Sequence, residues 1–205
     1  MSTKNVAFIS IMGALGNVLS WLSISLTPFL PKIPLGPMSI SIAFDLSHLT
    51  TFIAALYGGP SVGGLTGLIG GVVAANIFGF SQGNLLTGFA LPVGKALTGI
   101  TAGFVMQALG LRSGKRHQAF TVASTPIAYL PEGVFTVFIF LVVLPIVMQV
   151  PAGQVDAFRS FIFSVVTAPI LVKAFLEMLV EGIILTALSV NQSFRNFMNG
   201  FFKPS

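Results

Sequence analysis

The stretch GGPSVGGLTGLIGGVVAA, residues 58–75, carries a small residue at every fourth position of an apolar run. On a helix such positions share one face, and small side chains there let a second helix backbone approach closely. Close packing of this kind is a main route by which helices associate in lipid. We interpret the face as a packing seam inside the protein, with a docking surface for another subunit as the alternative. Its members are Gly59, Gly63, Gly67, Gly71 and Ala75.

The composition of the whole chain is typical of a membrane protein. Of its 205 residues, 54% are hydrophobic and 7% are charged, and the mean hydropathy is +0.95. Soluble domains carry about 25% charged residues. The net charge of +5 forms no basic stripe, so we expect no nucleic-acid partner. Cysteine is absent, which excludes disulfides and thiolate metal sites. The chain is therefore expected to lie in a lipid bilayer.

Six apolar runs are long enough to cross a bilayer, whose core of about 30 Å needs about 20 helical residues. Short breaks that contain Pro, Gly or charge separate them, so we predict one domain over residues 1–205. The first run resembles a signal peptide but is too long, and we predict a retained helix. The fold class is thus an all-α integral membrane protein with six transmembrane helices, at about 5–30, 38–58, 59–80, 85–111, 119–148 and 158–190, and a tail at 191–205.

The distribution of lysine and arginine predicts the orientation. Cytoplasmic loops carry an excess of these residues. With both termini and the tail at 191–205 in the cytoplasm, the outside holds Lys32 and Arg159. The inside then holds six cations, namely Lys4, Arg112, Lys115, Arg116, Arg195 and Lys203. We therefore predict cytoplasmic N- and C-termini.

Charged residues within the predicted spans are candidates for a binding site. Each costs at least about 2.5–3.5 kcal/mol at the bilayer centre, so each is expected to face protein or a cavity. At about 1.5 Å per residue, Asp45, His48 and Lys95 lie in the outer half of the membrane, with Lys173 at its floor. This arrangement favours a polar pocket that opens outward. The predicted substrate-binding residues are Asp45, His48, Lys95, Glu132, Lys173 and Glu177.

The last span, LVKAFLEMLVEG at 171–182, places three of its charges four residues apart. Lys173 and Glu177 are one helical turn apart and are predicted to form an ion pair. Glu181 lies nearer the cytoplasm and cannot reach Lys173 comfortably. We expect a partner protein or the membrane surface to satisfy its carboxylate.

Lys95 lies on a helix face made of small residues. Such a face leaves open volume beside the ammonium group. A ligand could occupy that volume, and this is the interpretation we favour. The alternative is that a neighbouring helix fills it and that Glu132 neutralises the lysine. The small residues are Gly88, Pro92, Gly99 and Gly103.

Enzymatic motifs are absent from the chain. Asp45 and His48 could place two metal ligands on one helix face, with Glu132 as a third from another span. We favour a hydrogen-bonded Asp45–His48 pair over a metal site. The glycines at 58–71 are not followed by the Lys-Ser/Thr of a phosphate loop, so this chain is no ATPase. We predict no enzymatic activity, no metal and no cofactor.

Two stretches resemble the substrate-binding S components of energy-coupling factor (ECF) transporters. IAFDLSHLTTFIAALYGGPSVGGLTGLIGGVVAANIF (42–78) is similar to the DLSxxP and GPxxGxxxG motifs at that family's second and third helices. APILVKAFLEMLVEG (168–182) resembles its sixth helix, where Asn-Leu-x-Lys leads into an acidic segment. The resemblance implies a cell-membrane subunit that captures a vitamin or similar micronutrient in an outward pocket formed by the first extracellular loop and helices 4 to 6. A transmembrane coupling subunit and two cytoplasmic ATPases would supply the energy.

The resemblance also assigns roles to residues. It implies that Lys173 contacts substrate, as in riboflavin-type members, and a riboflavin-like ligand is the first hypothesis. Leu49-Thr50 stands where those members have Pro, and Ile170 stands where they have Asn; both departures weaken the riboflavin assignment. The N-terminal histidine of cobalt and nickel members is absent, which argues against metal transport. Contacts with the partner subunit are predicted at Ser10, Ala14 and Glu181, where Ser10-x-x-x-Ala14 replaces the family's Ala-x-x-x-Ala.

Two other classes of function remain open. A proton- or ion-coupled secondary transporter working alone would use Glu132, Glu177 or Glu181 to carry protons. Such transporters often contain two related halves, and no repeat relates residues 1–111 to 112–205. A membrane protein for assembly or lipid handling is the third class.

Overall fold

The computed structural model describes residues 1–29, 32–35, 38–41, 44–113 and 118–202, with the side chains of 32–35, 38–41 and 113 left aside. The predicted cytoplasmic cations Lys115, Arg116 and Lys203 lie outside these residues. In the described chain the helices and strands are α1 (Thr3–Leu26), β1 (Lys32–Leu35), β2 (Met38–Ser41), α2 (Ser47–Gly58), α3 (Pro60–Gly70), α4 (Val72–Phe78), α5 (Leu85–Ala108), α6 (Gln118–Phe138), α7 (Leu144–Val147), α8 (Val155–Ile162), α9 (Ala168–Val190) and α10 (Gln192–Phe201).

Most of the described chain is helical, and several of its helical segments are long enough to cross a membrane. Two π-helical turns, Ile139–Val143 and Phe163–Thr167, join α6 to α7 and α8 to α9. Among the described residues, five helical segments have the length and hydropathy of a span: Thr3–Phe29, Pro60–Gln82, Leu85–Ala108, Gln118–Val147 and Ala152–Val190. The prediction of a helical, multi-pass membrane protein is confirmed.

The predicted second span, 38–58, is wrong at its N-terminal end. Residues Met38–Ser41 form β2, which pairs antiparallel with β1. α2 begins only at Ser47, and its 12 residues cover about 18 Å, less than a bilayer core. The segment MSISI at 38–42 alternates apolar and polar residues with the period of a strand, which a count of hydropathy does not detect.

The short helix α2 lies in the core of the bundle. It packs against α1, α3, α5 and α9, and Phe52, Ala54 and Ala55 are fully buried. Gly59 ends α2 with φ +83°, a conformation that favours glycine, and Pro60 then begins α3. This tight turn folds α3 back onto α2.

The small residues of α3 pack against the small residues of α5. A Cβ atom added at Gly63 would lie 2.6 Å from the Gly99 carbonyl oxygen, and one at Gly71 would lie 2.7 Å from Pro92 Cα. The predicted internal packing seam is therefore confirmed. The same contacts fill the small-residue face of α5, so the open volume that we expected beside Lys95 is occupied by α3.

The two ends of the chain lie on one face of the bundle. Phe8, near the start of α1, packs against Phe201 and Phe202 with ring centroids 5.3 Å and 4.9 Å apart. Tyr57, at the end of α2, contacts Phe194 of α10 at 6.1 Å. The hairpin of β1 and β2 follows the other end of α1, so α10 and the hairpin lie at opposite ends of that helix.

Candidate functional site

Buried polar groups from α1, α2, α5, α6 and α9 form two neighbouring sets of hydrogen bonds, one through Asp45 and Ser47 and one through Glu132. We call six of these residues the polar cluster: Asp45, His48, Lys95, Glu132, Lys173 and Glu177. The six residues were predicted to bind substrate, and that role stays a prediction. The Lys173–Glu177 pair forms as expected, whereas the other contacts within the cluster differ from those expected.

Asp45, just before α2, connects α1, α2 and α9. Its carboxylate accepts hydrogen bonds from the Ser20 hydroxyl at 3.2 Å and from the Ser47 amide at 3.0 Å. Its own backbone amide donates to Glu177 Oε1 at 2.7 Å. Asp45 therefore acts as a junction, with its side chain and its main chain bound to different helices.

His48 pairs with Glu132 of α6. The distance from His48 Nε2 to Glu132 Oε2 is 3.1 Å, and the Thr98 hydroxyl of α5 donates to the same oxygen at 2.5 Å. The predicted Asp45–His48 pair is not formed among the described residues and was wrong. A spacing of three residues placed both groups on one turn, but their partners lie on other helices.

Lys95 is 4% exposed and is held by neutral groups. Its ammonium donates to the Ser47 hydroxyl and, at 3.5 Å, to the Gly70 carbonyl oxygen. No described carboxylate lies within ion-pair distance of it, so the expected neutralisation by Glu132 is not a direct contact. The Lys95 side chain therefore connects α5 to the start of α2 and to the end of α3 by hydrogen bonds.

Lys173 and Glu177 form the predicted ion pair. The distance from Lys173 Nζ to Glu177 Oε1 is 3.1 Å, and the Lys173 side chain remains 30% exposed. The same Glu177 oxygen accepts from the Asp45 amide. The pair therefore joins the accessible lysine to the buried part of the cluster.

Glu181 is placed differently from the prediction. Its side chain is 0% exposed, and neither carboxylate oxygen has a hydrogen-bond partner among the described residues. A contact with a partner subunit or with the membrane surface is therefore excluded in this structure. The reason is that α9 buries this face against α6 and α2.

A cavity of about 480 Å³ lies between α5 and α6 and touches the polar cluster at Glu132. Pockets that bind small molecules typically measure about 300–1,000 Å³. Its remaining polar side chains are Thr87, Tyr129 and Thr136. It is lined by Phe78, Thr87, Ala90, Leu91, Gly94, Tyr129, Glu132, Phe135, Thr136, Ile139, Phe140 and Ile170.

The cavity lies towards the end of the bundle remote from α10. Phe78, Thr87 and Phe140 sit near the ends of α4, α5 and the π-helical turn after α6, whereas the far end of α5 leads to Arg112, which contacts Asn199 of α10 at 3.5 Å. Glu132 lies about two helical turns before Ile139 and is therefore further from this end of the bundle. The cavity therefore has an aromatic part near these helix ends and an inner end that Glu132 shares with Tyr129.

A second groove, of about 350 Å³, runs between α6 and α9. Tyr129 is its single polar side chain, and no charged group lines it. An apolar groove on a membrane-spanning surface is suited to lipid chains. We therefore take the cavity with Glu132 as the candidate site.

Of the six predicted binding residues, Glu132 alone lines the cavity. The aromatic and threonine residues were missed because the sequence reasoning followed charges. A signal was present in α6 and the π-helical turn after it, where Tyr129, Glu132, Thr136 and Ile139 recur at intervals of three and four. Such an interval marks one helix face.

Metal binding has no support in the described part of the chain, where no three His, Cys, Asp or Glu side chains are arranged to hold an ion. Ser10 and Ala14 of α1 are both exposed on the surface of the bundle. The Ser10 hydroxyl donates to the Val6 carbonyl oxygen at 3.0 Å, so its polar group is satisfied within the helix. A partner helix could therefore approach this surface.

Comparison with known families identifies the family of this chain. The family described as ECF transporter, substrate-specific component, matches residues 4–189, which include all residues of the polar cluster and of the cavity lining. A comparison with curated proteins found no match.

Proposed function

Since this chain belongs to the substrate-specific components of ECF transporters, we propose that it captures a small vitamin-like molecule in the cavity between α5 and α6. The membership makes the chain a substrate-binding membrane subunit that works with ECF coupling and ATPase modules. The observation that carries the choice of site is the contact of the cavity with Glu132, the point where an otherwise apolar space reaches the polar cluster.

The lining of the cavity favours a ring-bearing substrate. Phe78, Phe135, Phe140 and Tyr129 offer aromatic surface, which stacks on planar rings. Thr87 and Thr136 supply hydroxyls, and Glu132 supplies a hydrogen-bond acceptor. A planar heterocycle with a donor group at one end fits this arrangement, and a riboflavin-like molecule is one member of that class.

The rest of the polar cluster is proposed to support Glu132 and to extend the site. His48 and Thr98 hold the Glu132 carboxylate from two sides. Lys173 is the most accessible cation of the cluster, and we propose that it meets a polar end of the substrate. Asp45, Lys95 and Glu177 would fix the helices that carry these groups.

We further propose six membrane crossings with both termini in the cytoplasm of a cell membrane. The contact of Phe8 with Phe201 supports an even number of crossings, because it brings both chain ends to one face. The excess of lysine and arginine supports a cytoplasmic location for that face. Short α2 would be the second of the six crossings. The cavity would then lie in the outer half.

A transmembrane coupling subunit and two cytoplasmic ATPases are the proposed partners. The exposed Ser10 and Ala14 of α1 are the proposed contact with the coupling subunit. Small residues four apart let another helix approach closely. This chain alone should bind substrate without ATP and fail to accumulate it in liposomes.

Native mass spectrometry of the purified chain tests the binding function. A co-purified small molecule is expected. Ala90→Phe, which fills the cavity from α5, should abolish its retention, whereas Val93→Phe on the exposed side of the same helix should not. Retention of the molecule by the Ala90→Phe variant would show that the binding site lies outside this cavity.

A further inference from the structure

Glu181 is a buried acid whose carboxylate makes no hydrogen bond that meets the usual distance and angle criteria within the described part of the chain. Its side chain is 0% exposed, and both carboxylate oxygens lack a hydrogen bond among the described residues. Buried polar groups in folded proteins are nearly always hydrogen-bonded, and an exception calls for an explanation. The binding function proposed above makes no use of this residue.

The packing around Glu181 leaves little room for a hydration shell. Met178 and Leu185, one turn away on either side, are fully buried. A Cβ atom added at neighbouring Gly182 would lie 2.8 Å from the Val122 carbonyl oxygen of α6. An ionised carboxylate in such an apolar space is strongly disfavoured relative to the neutral acid.

The charge balance of the buried region singles out the same residue. The buried region contains four carboxyl groups, two ammonium groups and one imidazole. The carboxyl groups are those of Asp45, Glu132, Glu177 and Glu181. One acid is therefore in excess even when His48 is charged. Asp45, Glu132 and Glu177 each have a hydrogen-bond or ion-pair partner. Glu181 is the acid left over.

The surroundings of Glu181 add negative charge from several helices. Asp45 and Glu177 repel a charge on its carboxylate, and Lys95 attracts it. The Leu49 amide of α2 lies beside it but already donates to the Leu46 carbonyl oxygen at 3.1 Å. The titratable and charged groups on the packed elements are Asp45 and His48 at α2, Lys95 on α5, Tyr129 and Glu132 on α6, and Lys173 and Glu177 on α9.

We propose that Glu181 is a proton-binding site, which holds its proton while α9 stays packed against α2 and releases it when the two helices separate. Water then reaches the carboxylate and stabilises its ionised form. Proton release thereby favours the separated arrangement as the pH rises. This proposal depends on the packing of Glu181 and not on the identity of the substrate.

A one-proton linkage has a defined magnitude. A water-exposed glutamate releases its proton above about pH 4.3. As long as the packed form keeps the proton, the ratio of separated to packed protein rises about tenfold for each pH unit. Glutamine in place of Glu181 has the shape of the neutral acid and removes this dependence.

Infrared spectroscopy of the purified chain near neutral pH tests for the proton. The wild type should show the C=O band of a protonated carboxylic acid. Glu181→Gln should remove that band, and the matched variant Glu177→Gln, which leaves Glu181 in place, should keep it. Absence of the band from the wild type, or an undiminished band in Glu181→Gln, overturns the proposal.

Cysteine labelling tests the linkage. The native chain contains no cysteine, so Leu185→Cys introduces a single buried thiol one turn from Glu181. The rate at which a small maleimide labels this thiol is divided by the rate for the Leu185→Cys, Glu181→Gln double variant at the same pH. In this ratio the effect of pH on the thiol itself cancels. The ratio should rise with pH, towards about tenfold per unit, between about pH 5 and pH 8. A constant ratio overturns the linkage, and if Leu185→Cys does not fold, Met178→Cys, one turn away on the other side of Glu181, is measured in the same way.

Discussion

The backbone amide of Asp45 donates a hydrogen bond to Glu177 Oε1 at 2.7 Å, across 132 residues of sequence. Glu177 also binds Lys173, so one carboxylate oxygen connects the entry of α2 to a partly exposed cation on α9. Charge-assisted hydrogen bonds of this kind are among the stronger ones in proteins. The polar cluster therefore has a structural role in addition to any role in binding.

Lys173→Met should lower thermal stability, because it leaves the buried Glu177 carboxylate without its cation. Breaking a buried pair costs about 3–5 kcal/mol, and the partial exposure of Lys173 reduces this to about 1–2 kcal/mol. The double variant Lys173→Met, Glu177→Gln should recover most of the loss, since glutamine keeps the acceptor for the Asp45 amide. Thermal unfolding in detergent measures both, and equal destabilisation in the single and double variants would contradict this account.

Gly63→Ala should destabilise the packing of α3 against α5. The added Cβ would lie 2.6 Å from the Gly99 carbonyl oxygen, closer than backbone can tolerate, and overpacking costs about 1–3 kcal/mol. Gly200→Ala in α10 is the matched control, because a Cβ there has open space. The control should be neutral or slightly stabilising, since alanine favours a helix over glycine. A melting temperature unchanged in Gly63→Ala would show that the seam is looser than described.

The sequence predicted the features that follow from helix periodicity and from the cost of charge in lipid. The interval of four between glycines at 59–71 was sufficient to identify the seam, because small residues on one face have few other uses in a span. The intramembrane charges were expected to face protein, and the Lys173–Glu177 pair follows from helical spacing alone.

The sequence did not predict the partners of charges on different helices. His48 binds Glu132, which lies 84 residues away, and only the packing of α2 and α6 against α5 brings them together. The burial of Glu181 depends on which neighbour covers its face of α9, information that one helix does not contain. The hairpin before α2 was missed because strand and span share an apolar composition at 38–43.

Glu132→Gln should weaken binding of the molecule that native mass spectrometry identifies, measured by titration after that molecule is removed. Glutamine keeps the shape and can still accept from Thr98, but it lacks the negative charge. Loss of a charge-assisted hydrogen bond of about 1.5–3 kcal/mol reduces affinity roughly 10- to 150-fold. Asp156→Asn removes the same charge at an acid whose side chain is 99% exposed and does not line the cavity, so it should leave affinity unchanged. Equal affinity in Glu132→Gln and the wild type would remove Glu132 from the site.

Met198→Ala should destabilise the attachment of α10 to the bundle. Met198 is 1% exposed, and it lies one turn from Phe194 and Phe201, which contact α2 and α1. Truncation of a buried methionine typically costs about 2–5 kcal/mol, because it leaves a cavity. Phe197→Ala removes a larger side chain from the preceding position, but that side chain is 68% exposed and should contribute little to stability. Thermal unfolding in detergent should therefore show a large decrease for Met198→Ala and a small change for Phe197→Ala. A larger decrease for Phe197→Ala than for Met198→Ala would mean that α10 is held through its exposed side. The packing of α10 beside the start of α1 would then not be supported.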